Sequence, residues 1–174
     1  MITERNSLPN AFSAAWGVLG VAAILFFAVV RLAPIATEAV AGGLNSLQWS
    51  ALVINVVFML WSEGYKGFQQ QFSPRVAARA LYLYRHPMPM GMKLVAPLWC
   101  CGFFGAPRKT RIRVWSATAA IIMLVMLVQR LDQPWRGIID AGVVIGLSWG
   151  LLSFIGFVIK TFASGSYFRP PEVT

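Results

Sequence analysis

Apolar residues along this chain come in long blocks rather than in alternation. Four blocks stand out, at residues 11–30, 44–61, 112–131 and 137–159. Each is close to 20 residues, and at about 1.5 Å of rise per residue each would cover about 30 Å, the hydrocarbon thickness of a bilayer. Lipid offers backbone N–H and C=O groups no partners, so such blocks predict helices. The pattern therefore predicts an all-α membrane protein, a four-span transmembrane helix bundle forming a single integral membrane domain over residues 1–174. The first block exceeds the apolar core of a secretory signal, about 7–15 residues, and reads as an uncleaved anchor.

A fifth apolar block, residues 94–107, holds only 14 uncharged residues. As a helix it would reach about 21 Å, too short to cross. Pro97, Gly102, Gly105 and Pro107 weaken even that helix. Its flanks are strongly basic. The loop 64–113 carries Lys66, Arg75, Arg79, Arg85, Lys93, Arg108, Lys109, Arg111 and Arg113 and no acidic residue. Cytoplasmic loops concentrate Lys and Arg, so a crossing at 94–107 would strand one positive flank on the wrong face. The block reads as re-entrant or interfacial, with both flanks cytoplasmic. Both termini then lie inside as well, in keeping with Arg5, Lys160 and Arg169. Trp49, Trp61, Trp115 and Trp135 fall near span ends, where amphipathic rings favour the interface.

The first half of the basic loop has its own periodicity. Ser73 and Pro74 read as an N-cap followed by a first-turn proline. Beyond them Arg75, Arg79 and His86 share one helical face, and Val76, Ala80, Leu83 and Tyr84 lie towards another. This predicts an amphipathic cytoplasmic helix lying flat on the inner leaflet.

Composition sharpens the class. Hydrophobic residues make up 57% of the chain and charged residues 12%, about half the charged share of a soluble domain. The net charge is +9. Because the cations flank apolar spans, anionic lipid headgroups account for them better than nucleic acid does. The expected location is a bacterial inner (plasma) membrane. Cys100 and Cys101 are adjacent, a spacing that strains a disulfide ring.

Candidate chemistry is sparse. Gly142, Gly146 and Gly150 repeat every four residues and offer a face for close helix packing, and Asn55 can hydrogen-bond across helices. Arg75, Arg79, Arg85, Arg108, Lys109 and Arg111 are candidates for contact with lipid or an acidic partner. Glu63, His86 and Asp140 are ligand-site candidates because ionisable groups near a membrane interior are costly. Asp140 has Arg136 four residues before it, and Glu63 has Lys66 three residues after it, each a possible ion pair. In an extended chain His86, Met88, Met90 and Met92 would point one way and could hold Cu(I). No Walker loop, HExxH or GxGxxG signature occurs, and no cofactor is implied.

The leading expectation is a non-catalytic multi-pass protein, acting as subunit, scaffold or assembly factor of a larger membrane complex. Its partners would be membrane lipids and other membrane subunits, or a second copy through self-association. Two alternatives are a small transporter or lipid- or quinone-active enzyme with its site at the re-entrant segment, and a Cu(I)-handling protein using residues 86–92.

Overall fold

The computed structural model describes residues 8–173, and every regular element among them is helical. Arg5 lies outside the described residues. The order is α1 (Leu8–Ala41), α2 (Ser46–Met59), a π-helical stretch (Leu60–Phe72), α3 (Ser73–Arg85), the short α4 (Met90–Leu94) and α5 (Ala96–Cys101), α6 (Arg108–Val128) and α7 (Trp135–Ser164). Three of these, α1, α6 and α7, are long and apolar enough to cross a membrane.

The apolar block at 11–30 sits inside the longer α1. The helix runs on past Arg31 because residues 32–41 are mostly good helix formers, and it stops at Gly42 and Gly43, where Gly43 takes a φ of +83°. The apolar block at 44–61 is divided between α2 and the π-helical stretch. Its start is fixed by a reciprocal cap: Asn45 Oδ1 accepts from the Gln48 N–H at 2.9 Å, and Gln48 Oε1 accepts from the Asn45 N–H at 2.9 Å.

Ser73 does not begin a helix. Phe72 and Ser73 are both in the right-handed helical region, and the Ser73 N–H donates to the Phe68 carbonyl, so the chain winds on without a break from Ser46 to Arg85. Pro74 therefore falls inside a continuous helix, where it can neither donate to nor sit comfortably beside the carbonyl four residues back. That carbonyl belongs to Gln70, and it accepts instead from Arg169 Nη1 at 3.4 Å. The wider π winding ahead of Pro74 suits this release, since such insertions interrupt the regular ladder.

Nor does α3 lie flat on a membrane surface. Ten of its 13 residues are buried, and it packs between α1, α5 and α7. The reason is legible in VAARALYL, residues 76–83, where the small side chains of Ala77, Ala78 and Ala80 around Arg79 let neighbouring elements close over it.

α1 and α7 pack antiparallel, with Gly137 against Ile35 and Ala39 at one end and Ala14 near Val158 at the other. The helix from α2 to α3 runs parallel to α7. Gly142 meets Asn55 and Met59, Gly146 meets Met59 and Glu63, and Gly150 meets Phe68. Further along, Phe72 lies by Phe154 at 6.5 Å and Tyr84 by Phe162 at 5.9 Å between ring centroids. Asn55 Nδ2 donates to the Ile138 carbonyl at 2.8 Å. The core joins Ala14, Val21 and Leu25 of α1, Val76, Ala80 and Leu83 of α3, Ala96, Trp99 and Cys100 of α5, and Phe154 of α7.

A side chain at Gly150 would bring Cβ within 2.5 Å of the Phe68 ring, whereas Gly156 has nothing within 4 Å. Gly150→Leu and Gly142→Leu should each lower stability by about 1–3 kcal/mol, the usual cost of overpacking. Gly156→Leu should stay within about 0.5 kcal/mol of the parent. Thermal unfolding in detergent, followed by tryptophan fluorescence, separates the cases. Equal losses at all three positions would contradict this packing.

Candidate functional site

The most constrained group in the molecule is Arg79. Its side chain is 0% exposed, and a guanidinium carries five N–H donors and no acceptor. All of its partners are backbone carbonyls. Nε donates to Trp99 at 2.8 Å, Nη1 to Glu172 at 2.8 Å and more loosely to Gly105 and Pro171 at 3.3 Å, and Nη2 to Phe104 at 2.7 Å and Gly105 at 3.3 Å. The guanidinium also lies 4.0 Å from the Trp99 ring centroid, within cation–π range.

The segment it holds has little regular structure to satisfy its own backbone. α5 ends at Gly102, with φ +96°, and Gly105 follows with φ +57°. A Cβ on Gly105 would come within 2.6 Å of Trp99 Nε1, so both the backbone sign and the close approach require glycine there. The C-terminal tail is drawn to the same place. Besides the carbonyls given to Arg79, Glu172 Oε2 accepts from Thr110 Oγ1 at 2.8 Å.

Burial pulls the Arg79 guanidinium down to about 10, leaving it charged at neutral pH. Arg75 is also lowered by burial, which outweighs the opposing pull of Glu172, and Arg113 and Arg169 push the same way as burial. Burial pushes the Cys101 thiol up to about 11 and raises Cys100 as well. Neither cysteine has the lowered pKa of a reactive thiol.

The remaining candidates scatter. Arg79 and Arg75, expected at headgroups, are buried, at 0% and 8% exposure. Arg85 donates through Nη2 to the Gly165 carbonyl and lies over the Tyr167 ring, closing the C-terminus of α7. Arg108, Lys109 and Arg111 are exposed at the start of α6. Gly142, Gly146 and Gly150 line the seam between α7 and the helix that begins at Ser46, with Asn55 in the same seam. Arg136 Nε lies 3.8 Å from Asp140 Oδ2. Glu63 does not pair with Lys66, whose Nζ sits instead 5.1 Å from the Trp61 ring centroid.

His86 Nδ1 donates to the Tyr82 carbonyl, 3.1 Å away, and the imidazole stacks on the Tyr82 ring at 4.0 Å. The His/Met segment is not extended throughout, because residues 90–94 coil into α4. Met88 packs against the core while Met90 is exposed, so the alternation that would have aligned the thioethers is lost. No group of three or more His, Cys, Asp or Glu side chains gathers among the described residues.

Several contributors have no motif to announce them: Trp99, Thr110, Arg113, Arg169 and the tail carbonyls of Pro171 and Glu172. Residues 146–150 read GLSWG, a G-x-S-x-G match. A nucleophile elbow needs a strand-to-helix turn. Ser148 lies mid-way along α7 instead, and the flanking glycines serve helix packing.

An all-helical chain with three helices able to cross a membrane is an integral membrane protein by architecture. No family model, curated protein or solved structure matches it.

Proposed function

We propose that this chain is a non-catalytic membrane subunit that offers α6 to a partner helix, either in another subunit or in a second copy. The observation that carries this is the isolation of α6. Its ends are tied down, Thr110 to the tail and Val128 buried beside the turn into α7. Between them, residues 116–127 are exposed on every face, with only Thr118 half-buried. Ile121, Ile122, Met123 and Leu124 point in four directions around one turn, and all are exposed, Met123 at 67%. Helices in lipid associate through close packing rather than through a hydrophobic drive. The small residues Ser116, Ala117, Thr118, Ala119 and Ala120 give α6 a stretch where another backbone can come near.

Two finer features of topology belong to this reading. A second crossing by α2 and the first turns of the π-helical stretch is supported by the unbroken helical backbone through Met59 and Leu60. A re-entrant course for residues 94–107 is supported by where α5 lies. Trp16 Nε1 donates to the Leu94 carbonyl at 3.0 Å, Cys100 sits against Gly17, and Pro97 against Gly20. These α1 residues are in the first half of the apolar block 11–30. Irregular backbone at such depth is tolerated where protein buries it, and Arg79 supplies that protection. With the basic loop inside, the chain would have four spans with both described ends on the cytoplasmic face of a bacterial inner membrane.

Native mass spectrometry of gently solubilised membranes should find the chain bound to another protein chain. Ala117→Trp, Ala120→Trp and Leu124→Trp together should release it as a single chain with an unchanged melting temperature, because these positions touch little of their own protein. A single-chain mass for the parent protein would contradict the proposal. For the topology, cysteines placed at Lys93 and Arg108 should label from the same side of intact membrane vesicles; labelling from opposite sides would overturn the re-entrant course.

A further inference from the structure

We propose that the start of α6, together with Arg75, Arg113 and Arg169, forms a binding site for a phosphate group, carried by an anionic phospholipid at the membrane face or by a soluble phosphate. It does not depend on whether α6 has a protein partner.

Hydrogen bonds fix the neighbourhood. The Glu172 backbone is held by Arg79, one helical turn beyond Arg75 on the same face of α3. Its carboxylate accepts from Thr110, and Arg113 lies three residues along α6 from Thr110, on the same side. Arg169 reaches the Gln70 carbonyl, just ahead of Arg75 on the continuous helix. Arg75 thus feels Glu172, Arg113 and Arg169 together.

This arrangement is short of negative charge. Arg75, Arg113 and Arg169 share this neighbourhood with one carboxylate, Glu172, and one oxygen of that carboxylate is already engaged by Thr110. Arg75 is 8% exposed, and its Nε has no hydrogen-bond partner among the described residues. A buried charged donor left idle is rare and calls for an occupant.

The helix start supplies the second half of the site. α6 has no side-chain N-cap and no acidic residue in its first turn, which instead carries Arg108, Lys109 and Arg111. Cations at a helix N-terminus oppose its dipole, and the free N–H groups there favour an anion. A phosphate would accept from the Arg75 guanidinium, from Arg113 and Arg169, and from the first-turn N–H groups. Arginine suits this role because its planar fork matches phosphate oxygens in pairs. The phosphate diester of phosphatidylglycerol carries one negative charge, which with Glu172 sets two negative charges against the three arginines.

The test uses delipidated full-length protein in detergent and native mass spectrometry with added phosphatidylglycerol, phosphatidylcholine or inorganic phosphate. Arg75→Gln could fail to fold, so the decisive variants are Arg113→Gln, at an exposed position, and Arg169→Gln. Arg31→Gln, on the exposed far half of α1, is the control. Phosphatidylglycerol should be retained about tenfold less well by each decisive variant than by the parent and control, the loss of one charge-assisted hydrogen bond. Binding of phosphatidylglycerol above phosphatidylcholine assigns the site to a lipid. Binding of inorganic phosphate without lipid, with the same dependence on Arg113 and Arg169, assigns it to a soluble phosphate. Equal retention by all four proteins, or no binding of either probe, would overturn the proposal.

Discussion

The fold depends on one cation saturated by backbone. In apolar surroundings a peptide carbonyl without a donor costs free energy comparable to a lost hydrogen bond. Helices meet that demand internally, but residues 102–107 turn too sharply to do so, and the tail at 171–172 has no regular structure at all. Arg79 meets the demand for both, with donors to Trp99, Phe104, Gly105, Pro171 and Glu172. Lysine could not substitute fully, having three donors on a single atom and no planar face to lie over Trp99. Because the acceptors are carbonyls rather than a carboxylate, the charge is stabilised by dipoles and by the aromatic ring, and it stays on at neutral pH even though burial works against it.

The position of Arg79 is in turn set by the helix that carries it. Glycines at 142, 146 and 150 bring α7 close to that helix, and Asn55 ties the two at the far end. Gly64 returns the favour, lying against Trp149. The π-helical stretch changes the winding just before Pro74, so the face presented by α3 is not the one that a regular helix from Ser46 would give. Trp149 Nε1 pins this stretch by donating to Gln69 Oε1 at 2.9 Å. The close seam, the altered winding and the buried arginine together leave α6 as the one long helix without a packed middle.

Much of this was legible in the sequence, and the failures have physical causes. The apolar blocks gave the helices, because length and hydropathy alone decide which segments lipid can accept. The glycine repeat marked a packing face, although nothing in it could say that the partner lay in the same chain. The second block is divided because its helix changes winding part-way, which hydropathy does not show. The burial of α3 is hidden for a different reason: its arginines mark a polar face, but Ala77, Ala78 and Ala80 allow protein to close around Arg79. The carbonyl cradle was not legible at all. Backbone acceptors carry no sequence signature, and the tail at Pro171 and Glu172 is more than 90 residues from the arginine it meets.

The most direct measurement is thermal unfolding of Arg79→Met beside Arg79→Lys, in the same detergent. Methionine keeps much of the apolar stem and removes every donor, so five carbonyls lose a partner. The account predicts a loss of about 3 kcal/mol or more for Arg79→Met, as for other buried charged groups deleted from their partners. It predicts a smaller loss for Arg79→Lys, which keeps the charge and some of the donors. Melting of Arg79→Met within about 0.5 kcal/mol of the parent, the range of an ordinary surface substitution, would contradict the claim that this cation holds the fold together.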